Sequence, residues 1–275
     1  MTRQGLVAQS SIEVNPSRMA YLVSSATLLI SSFSMTWRRW VSISAGATSY
    51  GLTWSDARDA NFEIYFKNVS FGGTAGPSVR VTFAPGDAGF SEIAWSGSEY
   101  GVSWMDDRSG ANEIYFTSID SSGGRLLASD VRISNGGNGD WPDLSWDGSQ
   151  YGMVWTDWRG GSPEIYFSGV SSGGTVLTGE VSVTSSDGVT SERARMAWSG
   201  SEYGVVWSDY RDGGGEIYFS RLSAGGALLS ESRLSFMAGD ESQPEIVWAG
   251  DRWLAGWKPT LIVSIHARAG RAPGG

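Results

Sequence analysis

Apolar and polar residues alternate along this chain in short runs, each bounded by Gly, Ser, Asp or Asn. Such alternation predicts half-buried β-strands joined by tight turns. One stretch shows the unit well, with strands expected at SEIAW (91–95), YGVSW (100–104), EIYFTSI (113–119) and a segment near LLASDVRIS (126–134). The link WSGSEYG between the first two carries a Gly suited to a hairpin turn. No stretch holds apolar residues at helical spacing over a useful length. Four successive strands predict a four-stranded antiparallel sheet that cannot bury both faces alone.

The unit repeats. A Tyr-Gly pair followed by Trp occurs as YGLTW from Tyr50, YGVSW from Tyr100, YGMVW from Tyr151 and YGVVW from Tyr203, with a degenerate WLAGW from Trp253. The starts are 50, 51, 52 and 50 residues apart. The first four copies continue as WSDARDANFEIYF, WMDDRSGANEIYF, WTDWRGGSPEIYF and WSDYRDGGGEIYF, with Asp and Glu 7 residues apart in each. Blade-sized units at this period predict an all-β fold, a five-bladed β-propeller of four-stranded antiparallel blades. The whole chain, 1–275, is expected to form one domain, with clear repeats over 40–257 and irregular ends at 1–26 and 259–275. In the last blade Lys258-Pro259 replace the Ser/Thr-Asp pair. Closure of that blade by N- and C-terminal strands is therefore expected, TLLISS (27–32) resembling the fourth strands. Its third strand is either 19–25 or 260–267.

Composition narrows the function. Gly is abundant at 38 residues and Trp reaches 14, which suits tight turns and aromatic packing between sheets. The absence of Cys excludes disulfides and thiolate chemistry. A net charge of −9 argues against a nucleic-acid partner and leaves cations or neutral ligands, and the partner expected is a small molecule or a glycan. A single His, His266, leaves no basis for a His triad or a multi-His zinc site. No run is long and apolar enough for membrane insertion. The Ser-rich apolar stretch 19–33 has no A-x-A cleavage site after it and reads as a strand rather than a clear cleavable signal. The Gly-rich SNGGNGD (134–140) reads as a turn, and no organic cofactor is expected.

The W-x-D-x-R…E-I-Y pattern over residues 50–257 resembles blade repeats of secreted and surface bacterial β-propellers, a loosely TolB-like group. It also resembles the Asp-box of sialidases, with Asp, Gly and Trp in a different order. The period is near that of kelch repeats, without their Gly-Gly doublet in place. The resemblance implies a propeller fold and a secreted or cell-surface location in a bacterium. It implies little about activity, because propellers host many unrelated functions.

The recurring Asp-x-Arg pairs (Asp56/Arg58, Asp106/Arg108, Asp157/Arg159, Asp209/Arg211) are explained by the need of every blade for a stable turn. Asp caps free N–H groups there, and Arg is expected to bridge to the Glu of the next strand. The recurring Trp and Tyr are expected to pack between blades. Five-bladed lectins are similar in having one sugar site per blade, and Trp158 and Tyr210 inside the turns could stack on a sugar. Ala57 and Asp107 stand there in the other two copies.

A single active site should appear where the copies disagree. The inner-strand position before the hydrophobic residue reads Ser42, Glu92, Asp143, Arg195 and Glu245, while two residues on it reads Ser44, Ala94, Ser145, Ala197 and Val247. Asp87, Asp140, Asp187 and Asp240 on the preceding loops would make the channel mouth acidic. The charged set is either an internal ion-pair and water network or an acidic site. As a site, Glu92, Asp143 and Glu245 serve as acid/base groups of a hydrolase acting on glycosides, esters or phosphoesters, or as Ca²⁺ ligands. Arg195 orients an anionic or polar substrate group and Ser42 adds a contact. Five-bladed glycosidases resemble this arrangement in placing three carboxylates on inner strands. The rival reading is a non-catalytic propeller that binds a glycan or a protein on one face.

Overall fold

The computed structural model describes residues 41–185, 187–236 and 241–258, together with the backbone of 261–266. Nineteen strands appear in chain order, and they fall into five antiparallel sheets. The first sheet holds β1 (Val41–Ala45), β2 (Ser49–Asp56), β3 (Glu63–Ser70) and β4 (Val79–Arg80). The second holds β5 (Ala88–Trp95), β6 (Tyr100–Asp106), β7 (Glu113–Ile119) and β8 (Val131–Arg132). In the third are β9 (Gly139–Trp146), β10 (Tyr151–Asp157), β11 (Glu164–Val170) and β12 (Val176–Ser182). The fourth comprises β13 (Ser191–Trp198), β14 (Tyr203–Asp209), β15 (Glu216–Leu222) and β16 (Leu228–Arg233). Three strands make the fifth: β17 (Ser242–Trp248), β18 (Arg252–Lys258) and β19 (Leu261–His266).

Each sheet runs in sequence order. The third strand of the last sheet is thus β19, from the C-terminal of the two candidate segments, and it pairs with β18 from Arg252↔His266 to Trp257↔Leu261. The other candidate, 19–25, and the segment 27–32 lie outside the described residues. The fourth strand is shorter than the expected 126–134 in the second sheet, where only two residues pair with β7. In the first sheet Pro77, which has no N–H to donate, sits just before a similarly short β4. Among the described residues no helix is long and apolar enough to cross a membrane.

The sheets meet through side chains. Phe66 of the first lies 5.6 Å from Tyr100 of the second, Phe116 lies 5.3 Å from Tyr151, and Phe167 lies 5.4 Å from Tyr203. The Gly after each Tyr explains the doublet. A Cβ on Gly51 would stand 2.7 Å from the Tyr100 ring, one on Gly101 2.5 Å from Tyr151, and one on Gly152 2.5 Å from Tyr203. Only a bare backbone lets the neighbouring ring lie so close. Trp253 takes this place in the fifth sheet, over Gly204. The expected packing between blades is seen in the buried clusters, where Trp104, Trp155 and Trp207 each face apolar residues of the preceding sheet.

The recurring Asp is a buried acceptor hub. Asp157 takes a bond from Trp155 Nε1 (3.1 Å), from the backbone N–H of Arg159 (2.9 Å), and from the Arg159 guanidinium (2.6 Å). The same three bonds recur at Asp56, Asp106 and Asp209. Burial works against the charge of Asp157 and Asp209, but these bonds outweigh it and lower both pKa values. The Arg does not bridge to the Glu seven residues beyond the Asp, contrary to the sequence expectation. Having bonded the Asp, its guanidinium lies over the Tyr of E-I-Y, 4.2 to 4.4 Å from the ring centre. The Glu is held from the fourth-strand side, where Thr82, Ser134, Thr184 and Ser235 donate to Glu63, Glu113, Glu164 and Glu216.

An Arg completes that last arrangement in three sheets: Arg80 with Glu63, Arg132 with Glu113 and Arg233 with Glu216. The third sheet has Ser182 instead. Its hydroxyl bonds the carbonyl of Thr184, the role played elsewhere by the Arg Nε, and one oxygen of buried Glu164 is left without a partner. Burial raises the Glu164 pKa accordingly.

Replacing Ser182 by Arg is expected to supply the missing pair and stabilise the protein by about 1 kcal/mol, read as a rise in the denaturant midpoint. Replacing Gly152 by Ala is expected to force the Tyr203 ring aside and cost about 1–3 kcal/mol in the same measurement.

Candidate functional site

Strands β1, β5, β9, β13 and β17 stand beside one another in order. The five predicted positions sit at matching register on them, opposite Thr53, Ser103, Val154, Val206 and Gly256 of the second strands. The Arg195 charge is felt by Glu245, and both sense Asp143 and Glu92. Four sheets therefore direct their charged side chains towards one axis.

Two of the five clasp neighbouring strands together. Asp143 Oδ2 accepts the backbone N–H of Met196 at 2.7 Å, and Ser42 Oγ accepts that of Ile93 at 3.3 Å. Ser42 also donates to Glu92 Oε2 at 2.6 Å. Ser44 repeats the clasp further along, accepting the N–H of Trp95 at 3.1 Å. These bonds tie inner strands that belong to separate sheets.

Glu245 differs. Its Oε1 lies 3.4 Å from Arg195 Nε, while its buried Oε2 has no hydrogen-bond partner. Burial raises its pKa to about 8, the carboxylates of Asp143 and Glu92 adding to the rise and Arg195 opposing it. Arg195 is itself 9% exposed, its Nη1 bonded to the carbonyl of Ala194 at 3.1 Å. Near neutral pH this pKa leaves Glu245 with its proton, the state that a general acid needs.

The remaining predicted residues divide. Trp158 is half-buried and packs edge-on against Trp141, ring centres 5.4 Å apart. Tyr210 sits on the following turn, its ring against the backbone at Gly215. The loop acids do not act as one group. Asp87 accepts the N–H of Phe62 and Asp187 that of Val189, both exposed in their loops, while Asp240 lies outside the described residues. Asp140 is the exception, with a pKa raised by burial to about 6 against the opposing bond from Trp141 N–H and the charge of Arg193. Among the described residues no group of three or more His, Cys, Asp or Glu could hold a metal ion. Glu92, Asp143 and Glu245 each turn an oxygen to a protein donor or cation, and they do not form such a group.

One set of residues was not foreseen. Two positions before the charged residues, Phe90, Trp141, Arg193 and Gln243 adopt φ of 50°, 47°, 58° and 54°. The pairing register shifts there, so β5, β9, β13 and β17 each carry a bulge with a left-handed side-chain-bearing residue. Such a conformation costs roughly 1–3 kcal/mol for a non-Gly residue and gathers at functional sites. The variation from Phe to Trp to Arg to Gln at one repeat position was the available signal.

No protein-family model matches the sequence, and no curated protein matches it. Solved structures do. The chain is similar to an endo-arabinase from Bacteroides thetaiotaomicron at 14% identity and a TM-score of 0.51, over 82% of this chain and 92% of that one. It is also similar to a structure from a study of two prolyl endopeptidases, at 10% identity and a TM-score of 0.51, over 92% of this chain and 38% of that one. The fold is a β-propeller. At these identities the likeness extends to the fold alone, and each sheet is a blade.

The raised pKa of Glu245 gives a signed expectation. From the ordinary Glu range near 4.3 up to about 8 the folded protein binds the extra proton, so stability falls as pH rises across that window. Denaturant midpoints of Glu245→Gln against pH are expected to lose this part of the decline. Parallel curves for the two proteins would show that Glu245 titrates normally.

Proposed function

We propose that the chain is a glycoside hydrolase with its site in the propeller channel. The observation carrying this reading is Glu245, whose unpartnered Oε2 and pKa near 8 make it a proton donor at neutral pH. As general acid it would protonate the leaving glycosidic oxygen. Asp143 is assigned the base, because the N–H it accepts from Met196 favours a carboxylate. Glu92, oriented by the Ser42 hydroxyl, supports the charge that develops on the sugar ring. Arg195 holds Glu245 in place. The similarity of fold to an endo-arabinase is in keeping with a glycan substrate. A secreted or cell-surface location would suit a polymeric one.

Closure of the five blades into a ring belongs to the same proposal. The fifth blade has three strands among the described residues.

A non-catalytic propeller that binds a glycan or a protein is the second reading. It is favoured by the clasps that Ser42 and Asp143 make to neighbouring backbone, since these account for two polar channel residues without any chemistry.

Turnover of arabinan and other polysaccharides by Glu245→Gln and Asp143→Asn separates the two. A loss of about 10²–10⁴-fold in folded variants is expected, with the wild-type rate declining as pH rises through about 8. A wild type inert towards every glycoside, or variants of undiminished rate, would leave the binding reading in its place.

A further inference from the structure

The bulges of the inner strands place aromatic side chains at one end of the channel, the end that carries the Asp-x-Arg turns. Phe90 and Trp141 come from adjacent blades and meet edge to face at 6.3 Å. Trp158, from the turn of the third blade, meets Trp141 at 5.4 Å and 60°. The Arg193 guanidinium of the fourth blade lies 4.3 Å from the centre of the Trp141 ring. None of the four is fully buried. They form a strip across three blades, centred on Trp141, and it starts two residues from Glu92, Asp143 and Arg195.

Packing alone does not account for this strip. The bulges here hold a left-handed residue, and Gly or Asn would fill that place at little cost. Three large side chains stand there instead, each on backbone that disfavours it. The blade cores are complete without them, since none belongs to the buried clusters between sheets.

We propose that this strip is a binding subsite for an uncharged oligosaccharide chain that leads into the channel. The apolar C–H face of a sugar stacks on flat aromatic rings, and the flanking polar groups bond its hydroxyls. Arg193 is not free to pair with an anionic sugar, because it lies over Trp141 and 3.8 Å from the Glu192 carboxylate. The nearby carboxyl of Asp140 and the net charge of −9 also work against a polyanion. Three blades' width suits a chain rather than a single sugar. The proposal rests on the channel being a carbohydrate site, so binding is measured without turnover and the two ideas fail separately.

The test is affinity electrophoresis of the Glu245→Gln protein through gels containing arabinan, arabinoxylan, mannan, dextran or polygalacturonate. Retardation by at least one uncharged polymer is expected. Trp141→Gly, which removes the ring but keeps a residue at ease with φ near 47°, is expected to weaken that binding about tenfold or more. Trp158→Ala, on ordinary backbone, is expected to act in the same direction, and both variants should melt cooperatively. Binding without hydrolysis by the wild type would retire the enzyme and keep the subsite. The subsite is overturned if no uncharged polymer retards the protein, if both variants bind as before, or if polygalacturonate binds best.

Discussion

Everything in this molecule depends on a ring lying flat on bare backbone between one blade and the next. The blades share no hydrogen-bonded ladder, so their union rests on side-chain burial and on a few polar clasps at the centre. Tyr100 over Gly51, Tyr151 over Gly101 and Tyr203 over Gly152 set the approach distance. That distance in turn decides how near the inner strands come, and hence whether Glu92, Asp143, Arg195 and Glu245 feel one another. The electrostatics of the inner strands are therefore a downstream result of aromatic packing.

The buried Asp of each turn works at the opposite scale, within a blade. It gathers an indole N–H, a backbone N–H and a guanidinium, which together offset the cost of removing its charge from water. Where the motif fails in the fifth blade, the same need is met differently. Trp257 Nε1 donates to Glu241 at 2.9 Å, a carboxylate brought in from the loop before β17. The requirement is for an acceptor under the indole, and its position along the chain is negotiable.

The repeat made the blades legible because both causes are local. Tyr-Gly, Trp-x-Asp and Glu-Ile-Tyr each describe contacts that recur at fixed spacing, so the strands and their order could be read directly. The partner of the Arg could not, since Asp157 and Glu164 are both within reach on paper and only the geometry shows the guanidinium spent on the Asp and the Tyr166 ring. At the centre, comparing the copies found the five aligned positions but not their different duties. That Asp143 is tied to Met196 while Glu245 keeps an oxygen unpartnered follows from the relation between blades, which no single repeat contains. The bulge residues were missed because the letters show only that Phe, Trp, Arg and Gln vary at one repeat position, while the left-handed backbone beneath them leaves no mark.

Those bulges have an evolutionary consequence. Phe90, Trp141, Arg193 and Gln243 stand on backbone that is already committed to its shape by the flanking pairing. Their side chains can then be exchanged one codon at a time while the scaffold stays as it is. A propeller built this way can vary four side chains at one level of its inner strands, one each on β5, β9, β13 and β17, on a frame that stays the same.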